Sequence, residues 1–172
     1  MVIVMGIDPG VASTGFGVVG VAGGRMSVVD GGVIEVPPGQ PTEARLVEIH
    51  GELAELMSWH EPAALALEDV YFGKNVRSAI GVGQARGVAL LTAAQRGIPC
   101  FDYTPQAVKM AVCGSGAADK QQVQRMVGSL LGLPQPPQPD HTADALAVAI
   151  CHAAQTRWTR ALADEAPKVG SA

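Results

Sequence analysis

Five side chains in this 172-residue chain have types and positions that suit chemistry: Asp8, Glu68, Asp140, His141 and Asp144. Asp8 closes the apolar run "VIVMGID" just before Pro9-Gly10, and Glu68 lies near the end of "AALALEDV". A carboxylate in the middle of a buried strand is costly to desolvate, whereas a strand end places it on the rim of a sheet. If the two strands are parallel neighbours, both acids project from one edge. "PDHTADALAVAICHA" puts the other three on the first turn of an Ala- and Val-rich helix. His141 and Asp144 are spaced i, i+3 and share a face; Asp140 and Asp144, at i, i+4, can do so too. Carboxylates gathered this closely repel unless a cation sits among them. An oxygen-rich pocket with one imidazole suits Mg²⁺ or Mn²⁺ better than a structural zinc. Singly, each has a plainer explanation. Asp8-Pro9-Gly10 makes a good turn, Glu68 can pair with a lysine, and Asp140 makes a good helix N-cap. Their joint arrangement is what points to a site.

The elements that must position these residues follow in order. Residues 2–8 form a strand apolar enough to be buried on both faces. Residues 15–21 and 25–36 read as two further strands, antiparallel to their neighbours. A helix over 41–60 carries Leu46, Ile49, Leu53 and Leu56 at helical spacing, and 63–70 is another apolar strand. A Gly- and Ala-rich helix over 75–97 is stopped by Gly97, and the strand "IPCFDY" follows. Thr104 caps a short helix that has Pro105 at its first position, and Asp119 with Gln122 resembles a capping box for the next. The stiff "LPQPPQP" leads into the final helix, with Asp140 expected at its N-cap. The pattern is a three-layer α/β domain around a mixed sheet, ending near residue 157 and followed by a flexible tail over 158–172.

Composition narrows the class. Only 4% of residues are aromatic, so Ala, Val and Leu must build the core. No apolar run reaches the length of a membrane span, and the N-terminus lacks the flanks of a signal peptide. Cys100, Cys113 and Cys151 show neither disulfide nor zinc spacing, which fits the cytoplasm. His50, His60 and His152 have no evident chemical partner. The net charge of −4 conceals a division: residues 74–125 carry seven basic and two acidic side chains, and the rest five basic and fourteen acidic. Such a basic stretch is the footprint of a phosphate-binding face.

"GIDPG" with "TGFGVV", then "LALEDVYFGKN", "GQARGVAL", "TPQAVKMAVCGSGAADKQQVQRMV" and "ADALAVAICHA" occur in this order across about residues 2 to 155. Together they resemble the RuvC Holliday-junction resolvases of the ribonuclease H-like superfamily. The resemblance implies a mixed five-stranded sheet with helices on both faces and four metal-binding catalytic positions, here Asp8, Glu68, His141 and Asp144. Many members have Asp where this chain has His141, and Asp140 is the rival for that role. It also implies two Mg²⁺ or Mn²⁺ ions, a homodimer, a four-way DNA junction as substrate, and the RuvA and RuvB branch-migration proteins as partners. Lys109 and Lys120 fall on positions that handle DNA near the scissile phosphate, and Tyr71 on an aromatic that packs against unstacked bases. With Lys74, Arg77, Arg86 and Arg125 they make up the expected DNA-binding set. Two other readings stand beside this one. "GIDPGVASTGFGVV" also looks like the phosphate-binding hairpin of actin- and sugar-kinase-like ATPases, although the chain has no room for their second domain. The other alternative is a junction-binding module without catalysis.

Overall fold

Why β1 (Val2–Asp8) is apolar up to its last residue is clear from its neighbours: helices cover the sheet on both sides of it. The computed structural model describes the backbone of residues 1–69 and 76–165, and side chains of residues 1–69 and 79–156. β1 pairs antiparallel with β2 (Ser13–Ala22), which pairs antiparallel with β3 (Arg25–Glu35). On its other side β1 runs parallel to β4 (Ala64–Glu68), and β4 parallel to β5 (Cys100–Tyr103), giving the order β3-β2-β1-β4-β5.

One face of the sheet carries α1 (Thr42–His60) and α2 (Val76–Ala94). Ile49, Leu53 and Met57 of α1 and Ala85, Ala89 and Ala93 of α2 pack there against Met5, Ile7, Val18, Leu65 and Leu67. The other face carries α3 (Pro105–Cys113), α4 (Lys120–Leu130) and α5 (Asp140–Glu165), which close over Val4, Val19 and Ala66. Val4 and Met5 thus point to opposite layers, as successive strand residues must. The mixed five-stranded sheet with helices on both faces is the expected architecture.

Most boundaries fall where local chemistry places them. The Thr104 hydroxyl accepts from the Ala107 N–H at 3.1 Å, and the Asp119 carboxylate from the Gln122 N–H at 2.8 Å. α2 ends at Ala94, short of the expected 97, because the chain tightens into a turn that Gly97 completes at φ 67°. α5 departs from expectation at its start. The carbonyl of Pro139 accepts from the N–H groups of Thr142 and Ala143, so Pro139 holds the N-cap place and Asp140 is the first helical residue. The helix also runs on to Glu165, through part of the stretch expected as tail. His50, His60 and His152 bond to Gln95, Asp30 and Tyr103.

Candidate active site

Parallel pairing of β1 and β4 sets Ile7 opposite Leu67, so the next residues along, Asp8 and Glu68, leave the sheet together at one edge. α5 brings the remaining groups. It lies directly on the sheet because the surface beneath it is glycine. A Cβ on Gly6 would stand 2.0 Å from the Ala145 carbonyl oxygen, and one on Gly15 2.2 Å from that of His141. Gly17 faces Leu146 in the same way, and Gly6 and Gly17 are paired across β1 and β2. Only residues without a side chain permit so close an approach. The result is that His141 Nδ1 lies 2.6 Å from Asp8 Oδ2, although the two are 133 positions apart in sequence.

Asp144 sits one turn further along α5, about a third exposed, with Lys120 Nζ at 3.2 Å from its Oδ2. The same ammonium group lies 3.1 Å from Asp140 Oδ2, and Gln124 donates to the other Asp140 oxygen at 2.8 Å. Asp140 therefore turns towards α4, whereas His141 turns towards β1.

The electrostatics of the edge are those of crowded acids. Burial, then the charges of Asp144 and Asp8, push the Glu68 carboxyl up from 4.5 to about 7, while Lys109 on α3 pulls the other way. Burial also raises Asp144, against the opposing pull of Lys120. At neutral pH a substantial share of Glu68 is thus protonated, and a divalent cation among these oxygens would reverse that. The donor set, three carboxylates and an imidazole, fits such an ion. Among the described residues, no three His, Cys, Asp or Glu side chains already converge tightly enough to hold one. Lys120 instead pairs with Asp144, and His141 bonds to Asp8.

The expected DNA-binding residues scatter more widely. Lys109 and Lys120 reach the acidic edge, and Arg125 lies exposed on α4. The Arg86 side chain is 15% exposed, donates to the Glu68 carbonyl oxygen at 3.0 Å and pairs with Asp102. These contacts tie the end of β4 to β5. Tyr71, Lys74 and the side chain of Arg77 lie outside the described residues. What the spacing of charged residues did not reveal was Gly6, Gly15 and Gly17. The available signal was the alternation "GFG" in a strand, which marks close approach of another backbone.

The comparisons with known proteins agree with this geometry. The family model for crossover junction endodeoxyribonuclease RuvC matches residues 4–152. The RuvC endodeoxyribonuclease of Pelotomaculum thermopropionicum is 52% identical over 160 residues, covering 93% of this chain and 98% of that protein. That of Chloroflexus aggregans is 52% identical over 149 residues, covering 87% and 91%. Among solved structures, T. thermophilus RuvC in complex with a Holliday junction substrate superposes with a TM-score of 0.88 at 38% identity, over 92% of this chain and 97% of that one. The fold is therefore ribonuclease H-like, and the ATPase-fragment reading is set aside. With the acids gathered at one sheet edge and the match running from β1 into α5, the chain belongs to the RuvC family of crossover junction endodeoxyribonucleases.

Proposed function

We propose that this protein is a divalent-metal-dependent endonuclease that resolves four-way DNA junctions by paired symmetric nicks in recombination and repair. The observation that carries this reading is the meeting of Asp8 and Glu68 with the first turns of α5, in a chain of this family. Asp8, Glu68, His141 and Asp144 are assigned as the groups that hold two Mg²⁺ or Mn²⁺ ions. The chemistry those ions supply is charge stabilisation at the scissile phosphate and acidification of an attacking water. The chain's own part is positioning. Arg86 fixes the backbone at Glu68, Lys109 offers a positive charge beside the same carboxyl, and His141 bonds to Asp8. The ends left are 5′ phosphate and 3′ hydroxyl. A non-catalytic module would have no need of three costly carboxylates at one edge.

Two-fold symmetry of a junction calls for two sites, and α2 supports a homodimer. Ile80, Gly83, Gly87 and Leu91 form an exposed stripe along that helix, with Ile80 and Leu91 more than half exposed and open space above both glycines. Exposed glycines weaken a helix by up to about 1 kcal/mol each, so close packing of a second helix is their natural use. Gly87→Gln, whose Cβ would meet no described atom within 4 Å, should shift the protein to monomer in sedimentation velocity; an unchanged dimer would place the interface elsewhere. RuvA and RuvB are the expected protein partners, and the three free cysteines suit a reducing cytoplasm.

The decisive assay compares labelled junction with duplex in EDTA, Mg²⁺ and Mn²⁺. Junction should be nicked symmetrically, with re-ligatable ends, only when a divalent ion is present. Equal cutting of duplex, or cleavage that survives EDTA, overturns the assignment. His141→Ala should lower turnover by about a hundredfold or more, whereas Asp140→Ala should cost only a few-fold. Imidazole is softer than carboxylate, so His141→Asp should retain activity and move the preference from Mn²⁺ towards Mg²⁺. A dead Asp140→Ala beside an active His141→Ala would exchange the two roles.

A further inference from the structure

The ammonium group of Lys120 is shared between two carboxylates with different roles. Asp144 belongs to the assigned ligand set, while Asp140 faces away from it, bonded by Gln124 at 2.8 Å. Lys120 is the first residue of α4, directly after the N-cap Asp119, so its stem is anchored but its head is free to swing. A lysine offers a compact charge on four rotatable carbons, with three donors and no lone pair for a metal. The Asp144 oxygen that it holds at 3.2 Å cannot also serve a divalent ion without displacing or crowding it.

We propose that Lys120 is a tethered counter-ion that competes with the divalent cation for Asp144 while DNA is absent, and that a backbone phosphate draws it away, so that junction and metal bind cooperatively. This rests on the reading of Asp144 as a ligand given above.

Three features support it. Asp8 and Glu68 lie at the same edge, so a chain without metal has several negative charges to balance, and Lys120 forms an ion pair with Asp144. Both ion pairs of Lys120 are substantially exposed, at 54% for the lysine, 55% for Asp140 and 30% for Asp144. Pairs so exposed are weak enough to exchange. Asp140, lastly, acts as a parking place: held by Gln124, it keeps the ammonium group beside Asp144 without itself facing Asp8. Once Lys120 moves to a phosphate, Asp144 is released and the local potential becomes more negative. Thermodynamic reciprocity then requires that metal strengthen junction binding by the same factor by which junction strengthens metal binding.

The test reads metal occupancy rather than cleavage. Free Mn²⁺ is followed by electron paramagnetic resonance during titration of wild type, Lys120→Gln, Lys120→Arg and Asp8→Asn. Each is measured alone and with a junction whose 3′ oxygens around the crossover are replaced by methylene, which keeps the phosphate charge and resists hydrolysis. Without DNA, Lys120→Gln should bind Mn²⁺ about three- to tenfold tighter than wild type, and Lys120→Arg about as wild type does. With junction bound, wild-type affinity should rise and the gap should close. Equal affinities without DNA, or weaker binding by Lys120→Gln, overturn the competition; a gap that persists with junction overturns the transfer to phosphate. Asp8→Asn separates this idea from its premise. Asp8 is not in contact with Lys120, so undiminished Mn²⁺ binding by that variant would refute the metal site itself and leave the lysine without a competitor.

Discussion

Asp8→Asn, Glu68→Gln and Asp144→Asn should each lower junction cleavage by at least about a thousandfold, equivalent to about 4 kcal/mol of transition-state stabilisation, and leave junction affinity within a few-fold of wild type. The reasoning separates holding from cutting. Affinity for a junction comes from Lys and Arg contacts to phosphates, and none of these three residues supplies a positive charge. Cleavage needs all the oxygens that grip the ions, and an amide is a much poorer ligand for a hard cation than a carboxylate. Cleavage is measured by single-turnover kinetics in Mg²⁺, and binding by mobility shift in EDTA. Any one variant that cuts at the wild-type rate leaves the site. A variant that fails to bind would mean that the edge is organised by that residue.

Glu68→Gln carries a second consequence that the others do not. Without metal, burial and the charges of Asp144 and Asp8 push this carboxyl up to about 7 from the ordinary 4.5. Because its folded value is raised, its contribution to stability is fullest below about pH 4.5, falls as the pH rises through 7, and is a constant penalty above that. The shift would amount to roughly 3 kcal/mol at most, and partial exposure of the group reduces this to about 1 kcal/mol. In EDTA at pH 8, Glu68→Gln should therefore melt a few degrees above wild type, with the advantage fading by pH 4.5. Saturating Mg²⁺ should raise the wild-type melting temperature more than that of the variant. A variant less stable than wild type at pH 8 without metal would contradict the crowded-acid account.

Sequence patterns were most legible where one local rule acts alone. The run 2–8 had to be a doubly buried strand, and the caps at Thr104 and Asp119 are satisfied by the neighbours their spacing implies. Asp8 and Glu68 could be placed together because parallel strands bring their ends to one edge. Expectation failed where two local rules competed. Asp140 has the chemistry of an N-cap, but the Pro139 carbonyl already takes the first helical N–H groups. Its side chain is then free to answer Gln124 and Lys120 from α4, a contact that local spacing cannot reveal. Arg86 belongs by charge to a basic stretch, yet it pairs with Asp102 on the neighbouring strand. The Pro139 cap is local, whereas the side-chain partners of Asp140 and Arg86 lie on other elements. The glycines beneath α5 are the same lesson in steric form, since what excludes a side chain is a helix more than a hundred residues further along the chain.

Gly15→Ala should therefore disable catalysis although residue 15 bears no functional group. Its new Cβ would lie 2.2 Å from the carbonyl oxygen of His141, 2.6 Å from its carbonyl carbon and 2.9 Å from its Cβ, whereas ordinary contacts begin near 3.4 Å. The obstacle is mainly backbone, so no rotamer change relieves it, and the first turn of α5 must move away by about an ångström. That turn carries His141 and, one turn further, Asp144, while Asp8 and Glu68 stay with the sheet. A displacement of about 1 Å between two halves of a catalytic site costs on the order of a hundredfold in rate. Overpacking should lower stability by about 1–3 kcal/mol, too little to unfold a typical domain of this size. The control is Gly20→Ala on the same strand. Its Cβ would meet the Met1 Sδ at 2.8 Å and Val29 Cγ2 at 3.1 Å, both on exposed side chains rather than backbone, and the Met1 side chain can swing aside. Single-turnover cleavage, Mn²⁺ affinity and melting temperature are compared for the two variants. Gly20→Ala should remain within about twofold of wild type in rate, while Gly15→Ala loses both cleavage and metal affinity but still binds junction. Full cleavage by Gly15→Ala would mean that the helix can shift without disturbing the site, and that the docking of α5 on bare strand does not set the distance from His141 to Asp8.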